Sequence, residues 1–243
     1  MANFWKHVNK VLRESEIIIE VLDARMIEET RNFELEKKIK ENGKKILYVL
    51  NKCDLVNIKE LKLNKMKLFP SVFISSRDKL GTTILKKKIL EMSKGNSTVV
   101  GIVGYPNVGK SSLINALSGK GAAKTSSESG YTKGFQKIRV DPKILLLDTP
   151  GVLPRKEDDV AKHSKTGALS YGKIKDAETV ALGLIEDEKD KIVKYYGIEN
   201  EDDPEEILEK IAFKFKKLSS GGKANLEVAA RMLLKDWQVG KIQ

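Results

Sequence analysis

The stretch Gly104-Tyr105-Pro106-Asn107-Val108-Gly109-Lys110-Ser111 decides how this chain is read. It fits G-x-x-x-x-G-K-[ST], the spacing of a loop whose backbone N–H groups cradle nucleotide phosphates. Its neighbours supply the context that the motif requires. Thr98-Val99-Val100-Gly101-Ile102-Val103 reads as a short buried strand, and Ser112-Leu113-Ile114-Asn115-Ala116-Leu117-Ser118 reads as a helix. Strand, glycine loop and helix together aim free N–H groups and the positive end of a helix dipole at an anion. Such loops usually open a domain, yet this one lies near the middle of a 243-residue chain.

Working outward, strands and helices alternate on both sides of the loop. Residues 4–15 form an amphipathic helix with Phe4, Val8, Val11 and Leu12 on one face. Ile17–Asp23 is a β-branched run of the kind found in a central parallel strand. Then follow a helix at 33–42, a strand at 46–50, a helix at 57–68, a strand at 71–74 and a helix at 82–93. Lys94-Gly95-Asn96-Ser97 is a short polar joint. Beyond the loop and its helix, residues 119–134 lack an apolar period, and Phe135–Val140 and Ile144–Leu147 are strands around an Asp141-Pro142 turn. The alternation predicts a doubly wound, mostly parallel α/β sheet over residues 1–155. After residue 155 the pattern becomes helical, over 157–185 and 204–243, so 156–243 reads as a small all-helical C-terminal domain. Asp203-Pro204 starts a helix there, and Ser219-Ser220-Gly221-Gly222 interrupts the last region.

Composition narrows the class. With 40% hydrophobic and 33% charged residues the chain buries a core and stays soluble. No apolar run reaches the roughly 18 residues of a membrane span, and the N-terminus lacks the apolar core of a secretory signal. Cys53 is the single cysteine, which excludes an intramolecular disulfide and a cysteine zinc cage and fits a reducing cytoplasm. The net charge of +11 is unevenly spread: residues 1–150 hold 28 Lys and Arg against 16 Asp and Glu. Such an excess suits an anionic partner, nucleic acid above all, or a lysine-rich solvated surface.

Four more stretches join the phosphate loop, each after a strand. Asn51-Lys52-Cys53-Asp54 has the N-K-x-D pattern that reads guanine. An Asp carboxylate accepts hydrogen bonds from the ring N–H and the exocyclic amine, and adenine leaves it unpaired. Ser75-Ser76-Arg77 is like the S-A-K loop that supports the base. Asp148-Thr149-Pro150-Gly151 fits D-x-x-G, whose Asp holds a magnesium-bound water and whose Gly N–H contacts the γ-phosphate. Thr132, between the phosphate loop and Asp148, is the candidate switch threonine on magnesium. An ordinary GTPase runs phosphate loop, switch threonine, D-x-x-G, N-K-x-D, S-A-K. Here the last two come first, which a single circular permutation explains, with the joint at 94–97 linking the usual last helix to the usual first strand.

In this order the chain resembles the circularly permuted GTPases of the YlqF/RbgA family. Val21-Leu22-Asp23-Ala24-Arg25 with Thr30-Arg31-Asn32 is similar to the family's D-A-R segment and following R-N. Gly104–Ser111 is similar to its G-x-P-N-V-G-K-S, and Ala224–Arg231 with Asp236-Trp237 and Gly240-Lys241 to its helical tail. The resemblance implies a P-loop GTPase sheet, GTP and GDP as ligands, magnesium, and a role in assembly of the large ribosomal subunit through rRNA. The basic excess agrees with that role independently. A cytoplasmic monomer with no membrane partner is expected.

Residue by residue, the expected site comprises Asn51, Lys52, Asp54, Ser75, Ser76, Arg77, Asn107, Val108, Gly109, Lys110, Ser111 and Ser112 for the nucleotide. Lys110, Thr132, Asp148 and Gly151 are the catalytic set. Ser111 and Thr132 would ligate magnesium, with Asp148 acting through water. The resemblance suggests potassium for Asn107, where a hydrogen bond that stiffens the loop is the alternative. Two features temper the match. The bacterial F-P-G-H-M histidine segment is absent, and His7, only sixteen positions before Asp23, reads as a surface histidine or as its replacement; His163 is treated likewise. Val152 follows the D-x-x-G motif where Ras-like enzymes place a water-orienting Gln, so slow intrinsic hydrolysis is expected. The Phe213-Lys214-Phe215-Lys216-Lys217 stretch with Lys223 reads as an rRNA contact or as an amphipathic helix end with a solvated lysine face. Alternatives in function are a GTP-dependent RNA-binding chaperone with little hydrolysis, and a GTPase acting on another RNA such as tRNA. Asp54 disfavours an ATPase.

Overall fold

The structure, a computed structural model, describes residues 2–63, 68–119, 136–148, 174 and 176–242. The chain divides into two compact units, Met1–Asp158 and Asp159–Gln243.

In the first unit, α1 (Ala2–Glu14) leads into β1 (Ile17–Asp23), followed by α2 (Ile27–Thr30), α3 (Phe33–Glu41), β2 (Lys45–Asn51), α4 (Ile58–Leu63), β3 (Ser71–Phe73), α5 (Thr82–Met92), β4 (Thr98–Val103), α6 (Lys110–Ser118), β5 (Gln136–Asp141) and β6 (Ile144–Asp148). The strands form one sheet in the order β3-β2-β1-β4-β6-β5. Every described pairing is parallel except that of β5, which runs antiparallel to β6 at the edge because only a two-residue turn joins them. All seven residues of β1 are buried, Glu20 and Asp23 included, as its β-branched run predicts for a strand covered on both faces. Val8, Val11 and Leu12 of α1 and Leu35 and Ile39 of α3 pack with Ile18, Val103 and Leu147. Gly101 admits this close approach, since a Cβ there would lie 2.3 Å from Val11 Cγ1.

The sheet order explains the permuted sequence. From β1 the chain steps outward through β2 and β3; from β4, beside β1, it goes to the opposite edge as β5 and turns back into β6, which lies between β5 and β4. The loops after β1 and β4 therefore diverge at the carboxyl edge, which is where open α/β sheets bind ligands. The joint between the two halves lies at the opposite edge. Gly95 N bonds to Leu90 O at 2.8 Å to end α5, while Lys143 Nζ donates to Gly95 O at 2.8 Å from the β5–β6 turn.

Two local readings change. The expected helix 57–68 is described as Ile58–Leu63, Leu68 lies outside any helix or strand and residues 64–67 lie outside the described residues. A four-residue α2 stands where no helix is expected; Thr30 Oγ1 closes its turn by donating to Met26 O at 2.7 Å.

The second unit is helical: α7 (Ala177–Tyr196), α8 (Pro204–Lys214) and α9 (Leu226–Gln238). Asp176, Asp203 and Asn225 cap their N-termini through side-chain acceptors. Ile207, Leu208 and Ile211 of α8 are buried, as are Leu233, Leu234 and Trp237 of α9. α7 continues eleven residues past the expected end at 185. The polar run Glu186–Lys191 hides its period, but Ile192 and Tyr196 are buried, and the helix bends at Glu188 (φ −129°) to bring them in. An isolated antiparallel bridge, Leu218 to Ala224, spans the Ser219–Gly222 interruption. No helix among the described residues is long and apolar enough to cross a membrane.

Candidate nucleotide site

Three loops meet at the carboxyl edge of the sheet, those after β2, β3 and β4. The loop after β4 needs glycine at both ends. Gly104 adopts φ +144°, and a Cβ there would lie 2.5 Å from Val21 O of β1. Gly109 adopts φ +97°, and its Cβ would meet Asn51 Nδ2 at 2.2 Å. Asn107 is also left-handed at φ 60°, a conformation that asparagine tolerates better than most residues. Val108 is buried beneath the loop, and Lys110, Ser111 and Ser112 form the first turn of α6. The Lys110 ammonium folds over the loop, donating to Gly104 O at 2.9 Å and to Tyr105 O. The result is a collar of backbone around a positive charge, closed onto a helix N-terminus.

Asn51 ties the three loops together. Its Nδ2 donates to Val108 O at 2.8 Å, and its Oδ1 accepts from Ser76 N at 3.2 Å and Ser76 Oγ at 2.8 Å. Every polar atom of this side chain, 2% exposed, is thus engaged, as a buried amide requires. Ser75 braces the next loop: Asp78 N donates to its Oγ, which in turn donates to Asp78 Oδ2 at 2.9 Å. Asp54, the expected base reader, sits two residues beyond Lys52 in a 3-10 turn (Cys53–Leu55) and pairs with Arg77 Nη2 at 3.0 Å. The structure therefore gathers Asn51, Lys52, Asp54, Ser75, Ser76, Arg77 and the loop 104–112 along one edge.

Reasoning from sequence passed over Asp23 as a site residue, although its segment carried the resemblance. Asp23 ends β1 in register with Asn51 and is fully buried. Its carboxylate accepts from Arg25 Nε at 3.0 Å, Arg25 Nη2 at 2.8 Å and Arg25 N at 3.1 Å, and pairs with Lys52 Nζ at 2.8 Å. An uncompensated buried ion costs roughly several kcal/mol, so both cations are needed to hold it charged. Burial pushes the carboxyl upward, but the Lys52 and Arg25 charges and their hydrogen bonds overcome this and hold it well below the usual carboxylate range. A signal existed: an Asp closing a mostly apolar strand, at the same strand end as Asn51.

Other expected residues are only partly described. Asp148 ends β6, where it pairs in register with Gln136 of β5, but its side chain lies outside the described residues. So do Thr132, Gly151, Val152 and His163, and the side chain of His7.

With the geometry in place, comparison with known proteins is informative. A family model described as 50S ribosome-binding GTPase matches residues 99–214. An uncharacterized GTP-binding protein of Methanocaldococcus jannaschii is 46% identical over 98% of this chain and 65% of its own length. Nuclear/nucleolar GTPase 2 of Oryza sativa subsp. indica is 34% identical over 98% of this chain and 47% of its own. The chain thus spans between about half and two thirds of these relatives. Among solved structures, GNP-bound YlqF from T. maritima superposes with a TM-score of 0.66 and 26% identity, covering 98% of this chain and 94% of that one. A GDP-bound YlqF structure gives the same score and identity over 96% of this chain. Motif order, sheet order and these likenesses agree: the chain belongs to the circularly permuted GTPases of the YlqF/RbgA family.

Proposed function

We propose that this protein hydrolyses GTP to GDP and phosphate and acts in assembly of the large ribosomal subunit. The observation that carries the reading is the bonding of Asn51 to both Val108 and Ser76, which supports one ligand spanning the phosphate loop and the base-reading loops. In this reading Asp54 reads the guanine edge, supported by Ser75, Ser76 and Arg77. Lys110 turns its charge to the β- and γ-oxygens, and the N–H groups of Val108, Gly109, Ser111 and Ser112 cradle phosphate oxygens. The hydroxyl at the first turn of α6 suits a hard cation, so Ser111 would hold magnesium, joined by Thr132 and, through water, by Asp148; bound there, it would supply charge neutralisation for the phosphates. Gly151 senses the γ-phosphate through its N–H. Asn107 is the residue assigned to potassium.

Val152 offers no water-orienting group, so hydrolysis by the isolated protein is slow and a partner completes the site. For that partner, the second unit presents Phe213 at 52% and Phe215 at 41% exposure beside the exposed Lys216 and Lys223, a pairing of aromatic faces and cations suited to single-stranded rRNA. The amphipathic-stripe reading of this stretch accounts for Ile207, Leu208, Ile211 and Phe215, whose ring meets that of Tyr196 edge-on at 5.3 Å, but not for Phe213. The test is single-turnover hydrolysis of GTP with and without purified large subunits, in potassium and in sodium. Slow turnover alone and clear stimulation by subunits are expected, with potassium faster than sodium. No hydrolysis above background with subunits would instead favour a chaperone that uses GTP only to set its shape, and equal rates in the two salts would remove Asn107 from the mechanism.

A further inference from the structure

The Asp23 cluster has no part in the roles assigned above, and its placement is specific. Asp23 and Asn51 are register partners at the ends of adjacent parallel strands. Immediately after Asn51 the chain enters a left-handed turn at Lys52 (φ 60°), an unfavourable conformation for a residue with a long side chain. Leu55 N then bonds to Lys52 O at 3.0 Å, and Cys53 N to Ile74 O at 3.1 Å, so the backbone at Lys52 sets where Asp54 lies. Lys52 Nζ forms its ion pair with Asp23 Oδ2 at 2.8 Å, and the Asp54 charge acts on it more weakly. Asp23 is itself fixed from its other side, by Arg25 and by its own N–H on Thr30 Oγ1 at 3.1 Å. A buried ion triad adds little stability over an apolar packing of the same volume, whereas it fixes position sharply. Position is what a base-reading loop needs, because a displaced Asp54 loses hydrogen bonds to one base edge and not to another.

We propose that Asp23 is a positioning residue for base recognition: through its ion pair with Lys52 it holds the left-handed turn that aims Asp54. The inference rests on the guanine-nucleotide reading of this site and adds a residue to it. It predicts a particular defect. Loss of Asp23 lowers discrimination between guanosine and inosine diphosphates, which differ by the exocyclic amine that Asp54 reads, and does so through Lys52.

The experiment measures dissociation constants for both diphosphates by titration calorimetry on wild type, Asp23→Asn, Lys52→Met and the double variant, with thermal midpoints recorded alongside. The wild-type preference for the guanosine form is expected to fall about tenfold in Asp23→Asn, with the double variant no worse than Lys52→Met alone. An unchanged preference in a folded Asp23→Asn, even with a lowered midpoint, overturns the proposal, as does a double variant whose losses multiply. If Asp23→Asn does not fold, Lys52→Met carries the test, since it leaves the Asp23–Arg25 pair in place: a reduced preference supports the proposal and a wild-type preference overturns it. Failure of the wild type to bind either diphosphate is a separate result that removes the nucleotide reading itself.

Discussion

N-K-x-D marks Asp54 in the sequence as the expected base reader, but it says nothing of the residue's neighbourhood. In the structure its carboxylate, 11% exposed, meets the 61% exposed guanidinium of Arg77, a screened and weak pair that a guanine edge can replace. Converting the carboxylate to an amide swaps one acceptor for a donor, which matches the 2-oxo group of xanthine instead of the 2-amino group of guanine. Asp54→Asn is therefore expected to weaken GDP binding by about a hundredfold and to make xanthosine diphosphate the preferred ligand. Competition titrations with the two diphosphates measure this, and an unaltered order of preference would move base recognition elsewhere. Asn51 shows the complementary limit of sequence reading. Its motif assigned it to the nucleotide, yet both polar atoms of its side chain bond to Val108 and Ser76, an arrangement that depends on which strands are neighbours. Asp23 stayed hidden for the same reason: its tie to Lys52 follows from the β1–β2 register, which no local pattern encodes.

At the scale of elements, β1 was recognised from its apolar run, but the run contains Glu20, and α3 is built over it. Glu20 Oε1 accepts from Asn32 N at 3.0 Å, and Asn32 in turn caps α3 by accepting from Leu35 N. Beside it, Glu36 of α3 receives Tyr48 Oη at 2.9 Å and Arg31 Nε at 2.9 Å. Burial first, and then the Glu36 charge, push Glu20 up to about 8, against the opposing effects of the Asn32 N–H and Arg31. The acid is thus held protonated in the fold and ionised in the unfolded chain at neutral pH. A carboxyl raised in this way contributes stability that is complete below its unfolded value, near 4.5, and is lost as pH rises towards about 8. The loss is of the order of a few kcal/mol over that window. Glu20→Gln, neutral throughout, should flatten the dependence, matching wild type at pH 5 and exceeding it at pH 8.5 in urea midpoint. Parallel curves for the two proteins would show that Glu20 is not the titrating group. The α7 helix makes a related point about elements: its charged run, Glu186–Lys191, reads as an end, and only packing of Ile192 and Tyr196 within the second unit carries the helix past it.

For the whole molecule, the permutation leaves the sheet of the family intact and changes what is joined to what. The half expected to read the base precedes the phosphate loop, and the joint between them sits at the edge away from the candidate site, where Lys143 reaches Gly95. The consequence lies at the other cut. In sequence, Asp148–Gly151, the expected γ-phosphate sensor, is followed directly by Val152-Leu153-Pro154 and then by the second unit, Asp159–Gln243. The expected sensor and that unit are neighbours along the chain, so a change at the one is expected to be felt by the other. Binding to a large subunit should depend on two separable terms. One is electrostatic, from the 28 basic against 16 acidic residues in the first 150, and it falls steeply with salt whatever the nucleotide. The other depends on the γ-phosphate and survives at a fixed salt concentration. Co-sedimentation with purified large subunits, across a salt series with a non-hydrolysable GTP analogue or GDP, separates them. The expected result is two lines of similar slope, with the GTP-analogue line displaced to tighter binding by about tenfold, the scale of an ordinary coupling free energy. Coincident lines would leave the charge term in place and remove the γ-phosphate as the signal for binding and release.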